Sequence, residues 1–553
     1  MADVMAMLTG DVEARWSAGT ISGAHARRLW GATPLAAQAL LEQGPHLTAD
    51  QFTHDEYSTW FHNELTGSSA DFPTTFRATD DQDAVVPSGP FGAAVYARMV
   101  GGASVHFTGN YWRFRPVDFT EGSITGGIDG TGLVDWPITY DDLEPYYSKV
   151  EWEVGVSGAP GPGDPPRSRP FPMPPLPVKS SGVLLEEGGR RMGWTPQPAP
   201  MAILSQPHNG RSPCIQCGWC MGYVCEVNAK SSSLAAMIPV AEATGRCEIR
   251  PLSTVYRIET DRQGRAREVL YFDEAGVAQG QRARAVVLCA NGAETARLLL
   301  SSDSSAFPNG LANSSGLVGK YLMFNGNSSV TGAFEHPLNE YKGPAVTRII
   351  LDEFYASDPA RGFYGGGGLD GRTGIGPIFF ALAGMPPDSP TWGAEFKEQV
   401  ADYYTRTMDV FCHGTSLPLE SNNVTLDSDV KDKWGRAALR VTYQDHPDDL
   451  ALIRWLQQRG HELLDAAGAR KTWSLPYQAQ TAGFHLLGTA RMGSDPGASV
   501  VDPYHQAHDV PGLFICDGSS LVTSGRGQPT MTIQALAFRA ADHITEAAGR
   551  GDL

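Results

Sequence analysis

Apolar and polar positions recur along this chain with two different periods, and the periods divide it into strands and helices. Near the C-terminus GLFICDG is a short apolar run, Leu513, Phe514, Ile515 and Cys516, stopped by Asp517 and Gly518. It predicts a buried strand followed by a turn. After Gly525 and Gly527, Pro529 opens a run in which Met531, Ile533, Ala535, Leu536 and Phe538 fall on helical spacing. Proline is favoured in a first helical turn, where its missing N–H costs nothing. The predicted order is strand, glycine-rich loop, helix N-terminus, and that end of a helix attracts anionic or polarised oxygen. Earlier in the chain CEIRPLSTVYRIETD and REVLYFDEAG alternate like strands of a meander, and ARAVVLCANG is an apolar strand ending in small residues.

Helical spacing predicts further helices in residues 136–158, opened by an aspartate cap, and in GVLLEEGGRRMGW, EFKEQVADYYTR and DDLALIRWLQQRGHELLDAAG. NNVTLDSD and ALRVTYQ predict strands, and residues 157–177, dense in Pro and Gly, an extended connection. Of the histidines, His413 is expected on a loop and His461 on a solvated helix face, neither with a catalytic role.

His485 in FHLLGTARMG, Asp517-Gly518 in LFICDGS, and Gln528-Pro529-Thr530 followed by TIQALAFRAA resemble the closing module of the glucose–methanol–choline (GMC) oxidoreductases, flavoenzymes that oxidise alcohol groups. MVGGASVHFTGN, the Ala290-Asn291-Gly292 turn and NSSGLVGKYLM carry the resemblance along residues 42–545. It is nearest to the bacterial sugar, sugar-acid and aminoglycoside alcohol dehydrogenases. The resemblance implies an α/β fold: a Rossmann-like FAD-binding domain from residues 1–135, 205–325 and 480–553, and a discontinuous α+β cap from 136–204 and 326–479. The cap would combine an antiparallel sheet with helices and carry substrate specificity.

The resemblance also implies FAD, and a reaction in which a base takes the hydroxyl proton while hydride leaves carbon for flavin N5. His485 is the implied base. Gln528 stands at the family's second catalytic position, where His or Asn is usual; its amide can donate or accept a hydrogen bond, on a longer arm. Implied cofactor contacts are Glu42 at a ribose, Val255 through its backbone at the adenine, and Ala290 in its turn. Gly101, Gly102, Ser104 and Asn110 would lie against the flavin ring and pyrophosphate. Asp517 and Gly518 would face ribityl and pyrophosphate atoms, with Pro529 and Thr530 close to the ring.

The opening of the chain departs from this pattern. ADVMAM and residues 39–42 read as strands, but the glycines between them, Gly10, Gly19, Gly23 and Gly31, make no G-x-G-x-x-G fingerprint. Arg15 and Trp16 stand where a phosphate-cradling turn needs bare backbone. Either a compensated frameshift has scrambled this window or the protein has lost the fingerprint, which would severely weaken flavin binding. The second case supplies an alternative function, a flavin-free family member acting as a binding or partner protein. Colour separates the two.

A chain of 553 residues implies two or three domains. A net charge of −18 disfavours nucleic acid and anionic membrane surfaces as partners. No apolar run is long enough to span a bilayer and no export signal opens the chain, so a cytoplasmic protein is expected. Cys214, Cys217, Cys220 and Cys225 form a C-x2-C-x2-C-x4-C array. Structural or redox-inert thiols are expected there and no metal, with an iron–sulfur cluster and zinc as the alternatives. The expected partners are a small alcohol or sugar and an electron acceptor, whether oxygen, a quinone or a redox protein.

Overall fold

The computed structural model of the chain describes residues 5–8, 38–62, 64, 69–88, 92–372 and 376–553. The window of the missing fingerprint, residues 9–37, lies outside them. A five-stranded sheet is ordered Leu513–Ile515, Ala285–Leu288, Met5–Leu8, Gln38–Leu41, Cys247–Arg250. Its two outer pairs are parallel. The central strand runs antiparallel to both neighbours, Met5 opposite Leu41 and Ala6 opposite Val287. A doubly wound sheet would hold that strand parallel. The strand Cys247–Arg250 belongs to this sheet, so the expected meander begins one strand later, with Thr254–Thr260, Ala266–Phe272 and Ala278–Arg282.

A six-stranded sheet is ordered Lys471–Trp473, Asn327–Ala333, Thr407–Gly414, Gly367–Arg372, Val346–Ile350, Gln197–Pro198, with antiparallel pairing throughout. The helix Pro447–Ala466 covers it because Leu452, Ile453, Leu456 and Leu463 share one face and meet Val330, Leu369 and Val410. All seven are fully buried, and a buried side chain of this size stabilises by roughly 1.5–3 kcal/mol. A third sheet joins Thr74–Arg77, in parallel, to the hairpin Asn423–Lys431 and Ala437–Thr442.

The pattern at the C-terminus forms as predicted. Leu513–Ile515 is a buried strand, Gly518–Ser520 a tight helical turn, and Thr530–Arg550 a helix entered through Pro529. Helix Tyr140–Val154 starts from Thr139 rather than from an aspartate; the Thr139 hydroxyl accepts from Asp142 N while the Asp142 carboxylate accepts from Thr139 N. A threonine cap with an acid three residues on satisfies two orphan amides at once. This helix packs on the final one, where the Tyr147 and Thr532 hydroxyls meet at 2.8 Å.

Candidate active site

His485 precedes a stretch of backbone held from two sides. A Cβ on Gly292, at the start of helix Asn291–Leu300, would stand 2.2 Å from Leu486 O, and one on Gly518 would stand 2.5 Å from the same atom. Only glycine allows both elements to close on the residue after the histidine. The imidazole Nδ1 lies 3.1 Å from Asn325 Oδ1. Asn325 is buried, with a left-handed φ of 59°, and its Nδ2 donates to Gly414 O at 3.3 Å, Ser524 O at 3.2 Å and Gly525 O at 3.4 Å. An amide nitrogen only donates, so Oδ1 is the acceptor and His485 Nδ1 must carry its proton. In the neutral ring Nε2 is then the bare base.

Burial, with a smaller contribution from His413, pushes His485 down to about 3. The folded ring therefore stays neutral above that pH, whereas the unfolded chain takes up the proton near 6.5. Its contribution to stability is complete above about pH 6.5 and is lost as pH falls toward 3. With His485 as the base that the resemblance implies, the expected pH profile of flavin reduction has no acid limb from this group above about pH 5. Stopped-flow rates across pH check this; a limb centred near 6.5 would mean that the ring is charged in the folded enzyme.

Gln528 leads to a second buried group. Its Nε2 lies 3.3 Å from His413 Nδ1, and His413 Nε2 lies 2.6 Å from Asp370 Oδ2. Arg372 grips the same carboxylate through Nε at 2.7 Å and Nη2 at 2.5 Å, and Asn110 Nδ2 donates to it at 3.0 Å. The Arg372 and His413 contacts hold Asp370 well below the usual carboxylate range despite burial that opposes them, and burial lowers His413. His413 thus lies on the strand Thr407–Gly414, almost without exposure and in contact with Gln528, not on a loop. The alternation TMDVFCHG hides this, because both faces of that strand are covered. His461 also departs from its expected solvated face: its ring bridges the Thr472 and Ser474 hydroxyls at 2.9 and 3.0 Å.

The remaining predicted residues fall into three places. Val255 and Ala290 line one cleft together with Leu41 and Gln43, which flank Glu42 at the end of its strand. Glu42 is fully buried and its Oε1 accepts from Gly44 N at 2.9 Å. Asp517 accepts from Ser519 N at 2.8 Å and from Thr295 Oγ1 at 2.6 Å, tying the turn at Gly518 to helix Asn291–Leu300; burial raises its pKa. Pro529 and Thr530 open the final helix a few residues past the loop that Asn325 holds. Gly101, Gly102 and Ser104 form a tight turn, where Ser104 Oγ donates to Gly101 O and accepts from Ser233 N, each at 2.9 Å. Sequence reasoning missed Asn325, Asp370 and Arg372; Asn325 follows NSSGLVGKYLM after Phe324, and this was the one available signal.

The four clustered cysteines line one pocket with Lys230. Lys230 Nζ donates to the carbonyls of Phe107, Cys220 and Tyr223 at 2.8, 2.9 and 2.6 Å. Burial pushes Cys214 up to about 11 and raises Cys220, which favours the protonated thiol at both. Among the described residues no group of three or more His, Cys, Asp or Glu side chains is placed to hold a metal ion.

Comparison with known proteins gives the family. A family model described as GMC oxidoreductase matches residues 418–537. A 2-methyl-1,2-propanediol dehydrogenase of Mycolicibacterium austroafricanum is 35% identical over 516 residues, covering 91% of this chain and 90% of the relative. The chain belongs to the GMC oxidoreductases. A 6'''-hydroxyparomomycin C oxidase of Streptomyces lividus is 31% identical, covering 80% of this chain and 77% of its own. Among solved structures, pyridoxine 4-oxidase from Mesorbium loti superposes with a TM-score of 0.59 at 17% identity, covering 91% of this chain and 93% of that one. Formate oxidase of Aspergillus oryzae RIB40 also gives 0.59, at 15% identity, covering 93% and 94%. These two carry the fold.

Family membership makes the protein an FAD-dependent oxidoreductase acting on CH–OH donors, and the flavin-free alternative is not favoured. The described residues fit the cofactor: the cleft beside Glu42 has apolar walls from Leu41, Val255 and Ala290 for a flat aromatic group. No helix among the described residues is long and apolar enough to cross a membrane.

Proposed function

We propose that this GMC oxidoreductase oxidises a hydroxyl of a sugar, sugar acid, polyol or aminoglycoside, with His485 Nε2 taking the hydroxyl proton. The observation that carries the proposal is the Asn325 contact, which puts the ring proton on Nδ1 and leaves Nε2 to act as a base. Glu42, Val255 and Ala290 would hold the adenosine end of FAD; Gly101, Gly102, Ser104, Asn110, Asp517, Gly518, Pro529 and Thr530 would hold its ring and pyrophosphate. Bound FAD supplies the hydride acceptor. Gln528 reaches the substrate beside His485, and the loop from Ser524 to Gly525, pinned by Asn325, sets the distance between the two side chains. The names of the relatives, a propanediol dehydrogenase and an aminoglycoside oxidase, support a polyhydroxy substrate. The electron acceptor is oxygen, a quinone or a partner redox protein, and the site of action is the cytoplasm.

The test is anaerobic mixing of the yellow protein with a panel of sugars, polyols and aminoglycosides. Bleaching of the flavin absorbance by at least one of them is expected. A protein that stays colourless when offered FAD, or a flavin that none of them bleaches, rules the function out.

A further inference from the structure

The chain Asp370–His413–Gln528 has a direction. His413 Nε2 has two polar neighbours, Arg372 Nη2 at 3.3 Å and Asp370 Oδ2 at 2.6 Å. That Arg372 nitrogen already donates to Asp370 Oδ2 at 2.5 Å, and Asp370, ionised by its paired contacts with Arg372, has no proton to give, so the short contact is made with His413 Nε2 as the donor. His413 is almost fully buried and faces one carboxylate already neutralised by a guanidinium, so the ring carries a single proton. Its Nδ1 is therefore bare. Of the two ends of the Gln528 amide only Nε2 can donate to it, and Nε2 is the atom placed there, at 3.3 Å. The other end, Oε1, takes no hydrogen bond from the described residues and belongs to a half-buried side chain at the mouth of the final helix. A glutamine that could have donated or accepted is thereby ordered as an acceptor.

We infer that Asp370 and His413 are positioning residues that present Gln528 Oε1 to substrate, so that the site selects an alcohol carrying a second, hydrogen-bond-donating hydroxyl on the neighbouring carbon, a vicinal diol. Two acceptors then face the substrate. A lone hydroxyl has one proton, enough for His485 Nε2 only; a vicinal diol has two, one for each acceptor. An ether oxygen at the second carbon has none and leaves Gln528 Oε1 facing another acceptor. This inference rests on the proposed function, because it needs His485 to receive the hydroxyl that is oxidised.

The probes are ethylene glycol and 2-methoxyethanol, which differ in that second proton, mixed anaerobically with the FAD-loaded protein. The wild-type rate constant for flavin reduction per unit concentration is expected to favour the glycol by about tenfold or more, the factor that corresponds to about 1.4 kcal/mol. In Asp370→Asn the new amide can donate to His413 Nε2, the ring proton moves to Nδ1, and Gln528 turns its NH2 toward the substrate. The preference should then fall severalfold, since an ether oxygen can accept from that NH2. Ring 15N spectra should show the His413 proton on Nε2 in the wild type and on Nδ1 in the variant, independently of turnover. If Asp370→Asn does not fold, Gln528→Met, on a half-buried side chain, should bring the ratio close to one. Equal rates for the two probes in the wild type overturn the inference while leaving the proposed function standing. So does a ratio that Asp370→Asn and Gln528→Met leave unchanged. Reduction by neither probe nor any other alcohol removes both.

Discussion

Replacing His485 by alanine is expected to leave a yellow protein whose flavin is reduced by substrate about 10²–10⁴ times more slowly, the range a positioned general base contributes. The flavin should remain, because the contacts proposed for it are made by other residues. The backbone should remain as well: Met323 N donates to Leu487 O at 2.9 Å and Gly488 N donates to Gly518 O at 3.0 Å whatever side chain stands at 485. What is lost is the bare Nε2 and the partner of Asn325 Oδ1. Single-turnover reduction followed at the flavin absorbance measures the proton-transfer step without reference to the unknown electron acceptor. Undiminished reduction in this variant would take His485 out of the mechanism, whatever the fate of the fold.

The second large effect is expected at Arg526, two residues before Gln528. This arginine is among the largest fully buried side chains, and its Nη1 pairs with Asp118 at 2.9 Å and with Glu121. Nε donates to Tyr355 O at 2.9 Å. The hydroxyl of Tyr355 donates to Asp118 at 2.5 Å and that of Tyr364 donates to Glu121. One guanidinium thus serves two buried acids, and burial raises the pKa of both carboxyl groups against its attraction. Arg526→Met removes the cation that pairs with both acids while retaining the stem volume. Breaking a buried pair from one side costs about 3–5 kcal/mol, because it strands the partner charges.

The expected result is a fall of about 1 M in the urea midpoint at neutral pH. The loss should shrink in acid. Asp118 and Glu121, stranded without Arg526, would hold folded-state pKa values still further above their unfolded ones, so the destabilisation is full above the folded pKa and fades as pH falls through it toward the unfolded value. A midpoint within about 0.2 M of the wild type at neutral pH would show that the network contributes nothing net. Because the same loop passes through Ser524 and Gly525 to Gln528, a destabilised variant should also reduce flavin more slowly.

Much of the fold was legible because it is written in local spacing. The run Leu513–Ile515, its stop at Asp517-Gly518 and the helix behind Pro529 are where apolar periodicity and turn chemistry place them. The helices Ser180–Arg191, Gly393–Arg406 and Pro447–Ala466 follow the same rule. Local spacing failed where partners are distant. Thr139 competes with the aspartates beside it as a cap, and only the placed hydroxyl decides between them. The strand Cys247–Arg250 alternates like its successors but pairs with Gln38–Leu41, more than two hundred positions earlier in the chain. Nor does an apolar run state its direction, and Met5–Leu8 lies antiparallel where the fold type would have it parallel.

The sequence by itself determined the periodic elements, the glycines that let two turns close on Leu486, and the chemical identities of His485 and Gln528. Only the tertiary structure decided where the protons of those two side chains lie. That depends on what each ring and amide faces across the fold: Asn325 is 160 positions from His485, and His413 is 115 from Gln528. An imidazole and an amide each offer two hydrogen-bonding ends of comparable intrinsic energy, so a partner brought in from a remote strand chooses between them.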